Sequence, residues 1–450
     1  MLSKEENELI TCVGPGTPMG TLMRQYWVPA LVATELPTPD CNPVRVKLLG
    51  EELIAFRDST GRVGLLGQHC PHRGASLFFG RNEEGGLRCV YHGWKYDVTG
   101  QCVDMPSEPP ESTFKERIRA TAYPCVERGG IVWTYMGTRA TPPPLPDIEP
   151  NMLPDGQWSV GVTMRNCNWL QGLEGDIDTS HLQFLHLGCV KPEDVRPNTM
   201  SYFALVNRAP RYEVTETPGG TMYGAYRPAG EGQRYWRVAH FLFPFYTLIP
   251  TGLLGNQIQV RAWVPLDDEH MLFFSMSGRA AGPGLESRAD GNGQLRTATP
   301  DGRTAGGLRY HPNSSDPLGR FRLVQAAEND YLIDREKQRS GNSYTGVDGI
   351  PVQDAVATES MGPIADRTAE HLVSSDVMVI RTRRRMLDAV RALQESGTVP
   401  PGADEPEVYL VRSGGVILPE TCDWIEGTKN LREAFVQHPE LDLAIVGENA

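Results

Sequence analysis

The sequence lacks the features of a membrane or exported protein. No run of 18 consecutive apolar residues occurs among its 450 residues, whereas a helix that spans a bilayer needs about 20. The chain starts with MLSKEENELITC, which is too acidic and too poor in apolar residues for a secretion signal. We therefore expect a cytoplasmic protein that does not insert into a membrane.

Positive charge is also scarce. Lysine and arginine number 43 against 56 aspartates and glutamates, which gives a formal net charge of −13. Proteins that bind a nucleic-acid backbone need a basic surface, so the composition argues against a nucleic-acid partner. The one dense basic run, RTRRR at 381–385, lies in a predicted helix over about 374–396 and fits an exposed or interface face.

The cysteines do not form an obvious disulfide framework. They number nine, at positions 12, 41, 70, 89, 102, 125, 167, 189 and 422. An odd number of cysteines in a long chain without an export signal favours reduced thiols, some of which can bind metal.

The length predicts more than one domain, because a single hydrophobic core stops growing at about 250 to 300 residues. Six prolines between residues 138 and 156 can neither continue a helix nor donate to a central strand, which indicates a linker. Short β-type runs precede it, whereas a helical stretch, longer β-type runs and the late helix follow it. The predicted parts are an N-terminal segment that packs on the core (1–40), an all-β domain (41–140), the linker (141–156) and an α+β domain with a sheet and a covering helix (157–450), which includes a Gly-, Asp- and Pro-rich excursion at about 278–321.

Two cysteines and two histidines occur in the order Cys70-x-His72 and Cys89-x-x-His92. A structural zinc site is one interpretation, since zinc binds sulfur and nitrogen ligands tetrahedrally. Each pair here, however, offers one thiolate and one imidazole. That mixture is what a Rieske [2Fe-2S] cluster requires, because two cysteines hold one iron and two histidines hold the other.

A second group of ligand-type residues lies in RNCNWLQGLEGDIDTSHLQFLHLG (165–188). Asp178 and His181 share one face of a predicted helix. His186 follows His181 by five residues, about 140° round an ideal helix, so the helix must break or deform if both imidazoles bind one metal. Two histidines and a carboxylate form the facial triad of non-heme Fe(II) oxygenases.

Both motifs resemble those of a known family. The first, CPHRGASL followed by C-x-YHGW-x-Y, with Trp94, Tyr96 and Gly100, closely resembles the Rieske module of ring-hydroxylating oxygenases. The second resembles the mononuclear-iron motif of the same enzymes. VGPGTPMGTLMRQYWVPA (13–30) and QDAVATESMGPIADRTAEHL (353–372) resemble the phthalate dioxygenase branch. Respiratory Rieske proteins are less similar, since they carry an additional cysteine in each loop, so we expect a potential toward the low end of the Rieske range of about −150 to +300 mV.

The resemblance implies an α+β fold in which an all-β Rieske domain precedes a catalytic domain of the helix-grip type, an antiparallel sheet covered by helices. It implies a terminal oxygenase with a Rieske [2Fe-2S] cluster and a mononuclear Fe(II). A separate reductase with flavin and a plant-type [2Fe-2S] cluster would feed a homotrimer or stacked trimers. The implied reaction is the cis-dihydroxylation of an aromatic carboxylate, such as phthalate or a substituted benzoate, with O2. A Rieske monooxygenase that demethylates or cleaves an aryl ether of a related acid shares every motif and remains the alternative.

Spacing alone does not choose the carboxylate ligand of the iron, because Asp354, Asp366 and Asp376 all lie on plausible late elements. In the short homotrimeric class of the family this carboxylate stands before an arginine-rich helix, as Asp376 does in SSDVMVIRTRRR. The resemblance therefore favours Asp376, beside His181 and His186. The cluster ligands that it implies are Cys70, His72, Cys89 and His92.

Three further residues are predicted to act in the site. Asp178 can accept a hydrogen bond from the His181 imidazole three residues later, and the resemblance implies that its other oxygen faces a Rieske histidine of the neighbouring subunit. Arg208 and Arg237 stand in β-type runs with apolar neighbours, where an inward guanidinium needs an anion. We expect them to bind the substrate carboxylate, with Arg211 as a rival.

Overall fold

A computed structural model of the chain describes residues 1–278, 308–436 and 438. Most of the predicted excursion at 278–321 therefore lies outside the described residues, since 279–307 are not among them. The part that follows is tied to the body of the protein. Tyr310 pairs with Leu323 in a β-bridge, and its hydroxyl lies 2.8 Å from that of Thr163.

The chain starts with two short helices, α1 (Lys4–Thr11) and α2 (Pro18–Met23). A capping box begins α1, because the Ser3 hydroxyl accepts the Glu6 N–H and the Glu6 carboxylate accepts the Ser3 N–H, both at 3.1 Å. The helix then contacts the far end of the sequence, where Asn7 Nδ2 donates to the carbonyl of Ala365 at 3.0 Å.

Short antiparallel strands build the next part of the chain, up to residue 135. They pair in the orders β1-β11-β10, β2-β3-β4-β9 and β5-β6-β7-β8, which confirms the predicted all-β architecture. The strands are β1 (Trp27–Val32), β2 (Val44–Leu48), β3 (Glu51–Arg57), β4 (Val63–Gly67), β5 (Arg81–Glu83), β6 (Gly86–Arg88), β7 (Lys95–Tyr96), β8 (Cys102–Asp104), β9 (Ala122–Tyr123), β10 (Cys125–Arg128) and β11 (Ile131–Tyr135).

An antiparallel sheet of eight strands organises the second half of the chain. The strand order is β12-β18-β17-β16-β15-β14-β13. The eighth strand, β19, pairs with the first half of β15, and β16 pairs with the second half of the same edge of β15. The strands are β12 (Trp158–Arg165), β13 (Arg211–Thr217), β14 (Gly220–Pro228), β15 (Gln233–Leu242), β16 (Tyr246–Leu248), β17 (Gln259–Pro265), β18 (Met271–Gly278) and β19 (Gly414–Pro419).

Two helices, α4 (Trp169–Ile177) and α8 (Val377–Ser396), cover one face of this sheet. The helices after the small domain are α3 (Glu149–Met152), α4 (Trp169–Ile177), α5 (Met200–Val206), α6 (Arg335–Arg339), α7 (Ile350–Glu359), α8 (Val377–Ser396) and α9 (Trp424–Gly427). Gly172 of α4 lies so close to the sheet that a Cβ there would stand 2.4 Å from the indole of Trp263. On α8, the Thr382 hydroxyl lies 3.1 Å from that of Thr221 on β14. The predicted α+β architecture, a sheet covered by helices, is confirmed, as is the late helix α8.

The proline-rich segment is packed rather than free. The Pro143 carbonyl accepts the indole N–H of Trp27 at 2.7 Å, and Glu149 of α3 forms a buried ion pair with Arg412 at 2.5 Å. The boundaries at 41, 140 and 157 stay predictions. Among the residues described, no helix is both long and apolar enough to cross a membrane.

Candidate metal centres

Two loops of the small domain bring the Cys-His pairs together. Cys70 and His72 lie between β4 and β5, and Cys89 and His92 lie between β6 and β7. Each loop closes with a glycine at positive φ: the Gly74 N–H donates to Cys70 O at 2.9 Å, and the Gly93 N–H donates to Cys89 O at 3.0 Å. The two cysteines are buried, and the rings of His72 and His92 lie 4.4 Å apart.

These four side chains fit a [2Fe-2S] cluster. The Nδ1 atom of His72 is buried and has no hydrogen-bond partner within the described part of the chain, as expected for an atom that binds metal. Burial raises the pKa of the Cys89 thiol, and the neighbouring Cys70 raises it further. A metal that binds there must therefore displace a tightly held proton.

Aromatic side chains enclose the same loops. The indole of Trp94 stacks on His72 with 4.2 Å between ring centroids and 7° between the planes. The Tyr96 hydroxyl lies 3.2 Å from Cys70 Sγ. Tyr96 is the last residue of β7, so a strand, and not the cluster-binding loop, positions the hydroxyl that contacts Cys70.

The second centre forms where α4 ends. Asp178 follows its last residue, and the Asp178 N–H still donates to Glu174 O at 3.1 Å. The predicted break is confirmed: a π-helical turn, Leu182–His186, follows. In this wider turn the Leu187 N–H donates to Leu182 O at 3.1 Å, five residues back. The imidazoles of His181 and His186 consequently face the same space, with ring centroids 5.0 Å apart.

Helix α7 brings a carboxylate to both histidines. Asp354 Oδ1 lies 3.2 Å from His186 Nε2 and 3.8 Å from His181 Nε2. Potential ligand atoms of the three residues all lie within 4.8 Å of one another. Two imidazoles and one carboxylate are the donor set of a facial triad, so these residues fit a mononuclear Fe(II).

The group that the structure brings together contains Asp354 and not the predicted Asp376. Asp376 stands before α8, where it accepts the Val373 N–H at 2.7 Å and caps a turn. The alternative Asp366 is likewise used locally, since it accepts from the hydroxyl and N–H of Thr368. Sequence spacing does not distinguish the three carboxylates, and only the packing of α7 against the π-helical turn brings one of them, Asp354, to the histidines.

Charge couples the three groups before any metal binds. Burial would lower the pKa of His181, but Asp178 and then Asp354 outweigh that effect and raise it. Burial would raise the pKa of Asp354, and His186 and His181 lower it. The carboxylate is thus held in the ionised form that binds a cation.

Comparison with known proteins identifies the family. Residues 134–289 and 310–443 match the family described as LigXa C-terminal domain like, and residues 26–124 match the Rieske [2Fe-2S] domain. The chain is 48% identical over 442 residues to the 3-chlorobenzoate-3,4-dioxygenase oxygenase subunit of Comamonas testosteroni. This alignment covers 97% of this chain and 100% of the relative. It is 36% identical over 440 residues to the phthalate 4,5-dioxygenase oxygenase subunit of Pseudomonas putida, with 94% of both chains covered. The chain belongs to the Rieske ring-hydroxylating oxygenases.

Solved structures support the fold of this oxygenase. Dicamba monooxygenase bound to 3,6-dichlorosalicylic acid matches with a TM-score of 0.54 at 20% identity, over 84% of this chain and 99% of the other. The terminal oxygenase of carbazole 1,9a-dioxygenase from Nocardioides aromaticivorans matches with a TM-score of 0.52 at 18% identity, over 86% and 97%. Similarity at this level establishes the shared architecture of a Rieske domain followed by a sheet-and-helix domain.

In the oxygenase, Asp178 stands beside His181, although α4 ends at Ile177 and the two residues do not share one face of a helix as their spacing had predicted. Its Oδ2 lies 3.5 Å from Nδ1 of His181, while its Oδ1 accepts the Ser180 N–H at 2.6 Å. About 29% of the Asp178 side chain is exposed. The carboxylate therefore reaches from the histidine toward the surface of the subunit.

The two predicted substrate arginines have different environments. Arg237 lies on β15, faces the helix-covered side of the sheet and is 6% exposed, and its Nε and Nη1 atoms have no hydrogen-bond partner among the described residues. Arg208 instead lies in a turn between α5 and β13 and is exposed, over the ring of Phe184 at 5.2 Å. The prediction that Arg208 lies in a β-strand was therefore wrong. The rival Arg211 begins β13 and is exposed.

Sequence reasoning missed Arg227, a buried arginine on the same face of the sheet as Arg237. Arg227 of β14 is 1% exposed and its Nη1 has no partner among the residues described. Its Nε donates to Asn207 O at 2.8 Å, and its Nη2 lies 3.5 Å from Gln183 Oε1 in the π-helical turn. Burial, together with the like charge of Arg237, lowers the pKa of Arg227 to about 10. Arg227 is the next-to-last residue of β14, in the sequence AYRPAG, and the following Pro228 and Gly230 made it resemble an exposed turn, so it gave no signal.

Proposed function

We propose that this oxygenase is the terminal component that cis-dihydroxylates an aromatic carboxylate, such as phthalate or a substituted benzoate. The overall reaction adds both atoms of O2, two electrons and two protons to the arene and forms a cis-dihydrodiol. The electrons would come from a separate reductase, because the relatives are named oxygenase subunits of larger systems. We expect the protein to act in the cytoplasm.

The proposed cluster ligands are Cys70, His72, Cys89 and His92, and the proposed iron ligands are His181, His186 and Asp354. When bound, the cluster supplies single electrons and the mononuclear iron supplies the reactivity toward O2 that amino-acid side chains lack. The side chains of the oxygenase orient the substrate, keep the metal ligands in the right protonation state and connect the two centres.

The observation that carries the substrate class is the buried guanidinium of Arg237. Tyr235 forms a side-chain hydrogen bond with Arg237 but supplies no negative charge. A buried charge without a counter-ion is strongly unfavourable, and a carboxylate is the anion whose shape matches a guanidinium. Small residues flank Arg237 across the sheet, with Ala225 opposite on β14 and Gly415 opposite on β19. On the Gly415 side the phenol of Tyr235 occupies this position, since a Cβ on Gly415 would stand 2.5 Å from the Tyr235 hydroxyl.

The face of the sheet that carries Arg227 and Arg237 borders the proposed iron site. Tyr212 shares the face with Arg237, since Tyr212 pairs with Ala225 and Ala225 pairs with Arg237. The Tyr212 hydroxyl lies 2.5 Å from that of Ser180, the residue before His181. An arene whose carboxylate binds Arg237 would therefore extend its ring toward His181.

We further propose a homotrimer in which Asp178 connects the centres of neighbouring subunits. Val90 and Tyr91, which are 58% and 54% exposed, stand directly before His92. Exposed apolar side chains next to a cluster ligand fit a surface that another subunit covers. By resemblance to the family, the carboxylate of Asp178 would meet His72 or His92 of that subunit.

Monooxygenation is the second candidate, because the chain is also 36% identical over 295 residues to the 5,5'-dehydrodivanillate O-demethylase oxygenase subunit of Sphingobium sp.. Oxygen uptake with a surrogate reductase, screened over benzoates, phthalates and aryl ethers, would identify the substrate. Mass analysis after reaction with ¹⁸O-labelled O2 separates the outcomes: a dihydrodiol carries two labelled atoms, whereas an O-demethylation product does not.

The arginine assignment has its own test. Arg237→Met keeps length and apolar contact but deletes the charge, so KM for the carboxylated arene should rise about 10-fold or more through the loss of roughly 1.5 to 3 kcal/mol of charge-assisted bonding. Arg208→Met is the matched control, since its exposed guanidinium should leave KM near the wild-type value. An unchanged KM in Arg237→Met would place the carboxylate elsewhere.

A further inference from the structure

The two histidines of the proposed iron site have different outer partners. His181 faces the carboxylate of Asp178, whereas Nδ1 of His186 lies 2.7 Å from Oε1 of Gln353. Gln353 directly precedes Asp354 on α7, so one turn of one helix offers a carboxylate to one side of the His186 ring and an amide to the other.

The direction of this hydrogen bond follows from the opposite end of the amide. Gln353 Nε2 donates to the carbonyl of Val347 at 2.9 Å, and a carbonyl can only accept. The oxygen of the amide is therefore the atom that faces the imidazole, and His186 Nδ1 must carry the proton. The lone pair of neutral His186 is then on Nε2, the atom that lies 3.2 Å from Asp354.

We propose that Gln353 is a positioning residue that fixes His186 in the Nδ1–H tautomer and so prepares its Nε2 for the metal. The proposal rests on the proposed iron site at His181, His186 and Asp354. An outer partner of this kind orients a metal-bound histidine, and its loss typically weakens metal affinity 10- to 100-fold. Only 5% of the His186 side chain is exposed, so water has little access to replace the amide oxygen.

The test measures the Kd for Fe(II) by competition with a chelator in the full-length protein. Gln353→Met keeps the length of the side chain but removes the acceptor, and we expect its Kd to rise 10- to 100-fold. Gln353→Glu keeps an oxygen acceptor for His186 and loses the donor to Val347, and we expect its Kd to stay within about threefold of wild type, because the acceptor and not the donor sets the tautomer.

Gln338→Met is the matched control for the loop. Gln338 Nε2 donates to the carbonyls of Tyr344 and Thr345, each at 3.4 Å, in the same connection that carries Val347. Its replacement removes hydrogen bonds to that loop without touching His186, so Fe(II) affinity should not change. The Rieske absorption spectrum reports in every variant whether the protein is folded.

The outcomes separate the inference from the proposed function. If His181→Ala and Asp354→Ala bind Fe(II) as tightly as wild type, the proposed iron site is wrong. If those variants lose Fe(II) but Gln353→Met does not, only the role of Gln353 is wrong. Equal weakening in Gln353→Met and Gln353→Glu would show that Gln353 acts by tying α7 to the loop at Val347, which would also overturn the inference.

Discussion

The hydroxyl of Tyr96 is the side chain best placed to adjust the proposed cluster. A thiolate sulfur that binds iron carries no proton, so Tyr96 must donate the hydrogen bond to Cys70 Sγ, at 3.2 Å. Hydrogen bonds to cluster sulfurs stabilise the more electron-rich reduced state and raise the potential. The phenol is buried, which raises its pKa and keeps it protonated as a donor.

Tyr96→Phe should therefore lower the midpoint potential of the cluster. A tenfold shift in the ratio of oxidised to reduced cluster corresponds to about 59 mV for a one-electron couple, and we expect a change of about this size. A redox titration followed by EPR measures it. Because Phe keeps the ring in place, the absorption spectrum should persist at full intensity, and an unchanged potential would remove Tyr96 from this role.

The proposed carboxylate ligand of the iron, Asp354, gives a second prediction at this scale. Asp354→Ala should lower the iron content from about three per chain to about two, since the two irons of the cluster remain while the mononuclear site is lost. Turnover should disappear. Metal analysis with the cluster spectrum as internal reference measures the change.

Asp376→Ala is the control for the same measurement, because Asp376 caps a turn and lies outside the group of ligand atoms. Its iron content should stay at the wild-type level. The opposite pattern, with iron lost from Asp376→Ala and kept in Asp354→Ala, would contradict the assignment drawn from the geometry.

Residues whose role depends on neighbours in the sequence were predictable, whereas residues whose role depends on packing were not. The spacing of Cys70 with His72 or of His181 with His186 is set within one loop or turn and can be read directly. Asp354 joins the histidines only because α7 packs against the π-helical turn. Arg237 and Arg208 look alike in sequence, and only the sheet decides that one guanidinium is buried and the other exposed.

At the scale of elements, the end of α4 is the key junction. If a regular helix continued through His186, the imidazoles of His181 and His186 would point to different sides of it. Instead α4 ends at Ile177 and a π-helical turn, Leu182–His186, follows. Glu174 anchors the last turn of α4, since it accepts from both Arg367 and Arg383. The burial of Glu174 alone would raise its pKa, but these two arginines hold it low.

Asp178 projects from this junction, and its charge can be tested without changing its shape. Asp178→Asn should leave the iron content and the reduction of the cluster by a reductase near wild type. It should nearly abolish the oxidation of the reduced cluster in a single turnover with substrate and O2, because the proposed link between the centres depends on the carboxylate. Stopped-flow absorbance at the band of the cluster measures that step.

Two observations make this experiment decisive. Ser180 N–H donates to Asp178 Oδ1, a contact that an Asn side-chain oxygen can also accept, so the local turn should persist. A wild-type rate of cluster oxidation in Asp178→Asn would show that Asp178 does not link the centres. A loss of mononuclear iron would instead indicate that Asp178 supports His181 as a ligand.

The whole molecule joins a small all-β domain to a large sheet through a packed connection. The overall architecture was predictable because local patterns agree with it: short strands with glycine turns before the proline-rich segment, long strands and an amphipathic helix after it. The packing of that segment was not, since six prolines indicate only the absence of regular structure. The ion pair of Glu149 with Arg412 joins residues 263 positions apart, which no local pattern reveals.

The assembly is tested most directly by mixing two inactive subunits. Cys70→Ala removes the cluster but keeps the proposed iron ligands, and Asp354→Ala removes the iron but keeps the cluster ligands. If each cluster serves the iron of the neighbouring subunit, mixed rings contain junctions in which an intact cluster meets an intact iron site. In a closed ring of head-to-tail contacts, each interface pairs the cluster of one subunit with the iron site of the next. When the two variants mix randomly in equal amounts, the cluster is intact in about half of the interfaces and the iron site in about half, so about a quarter of them have both. We therefore expect about a quarter of wild-type turnover.

The controls follow from the same geometry. Each variant alone should be inactive, and so should a mixture of trimers that were assembled separately and cannot exchange subunits. Coexpression with two different tags allows the mixed rings to be isolated, and their size and metal content confirm that both variants fold. Electron transfer confined to a single chain would leave every mixed ring inactive, since no subunit holds both centres, and that result would exclude the proposed arrangement while leaving the assignment of each metal site intact.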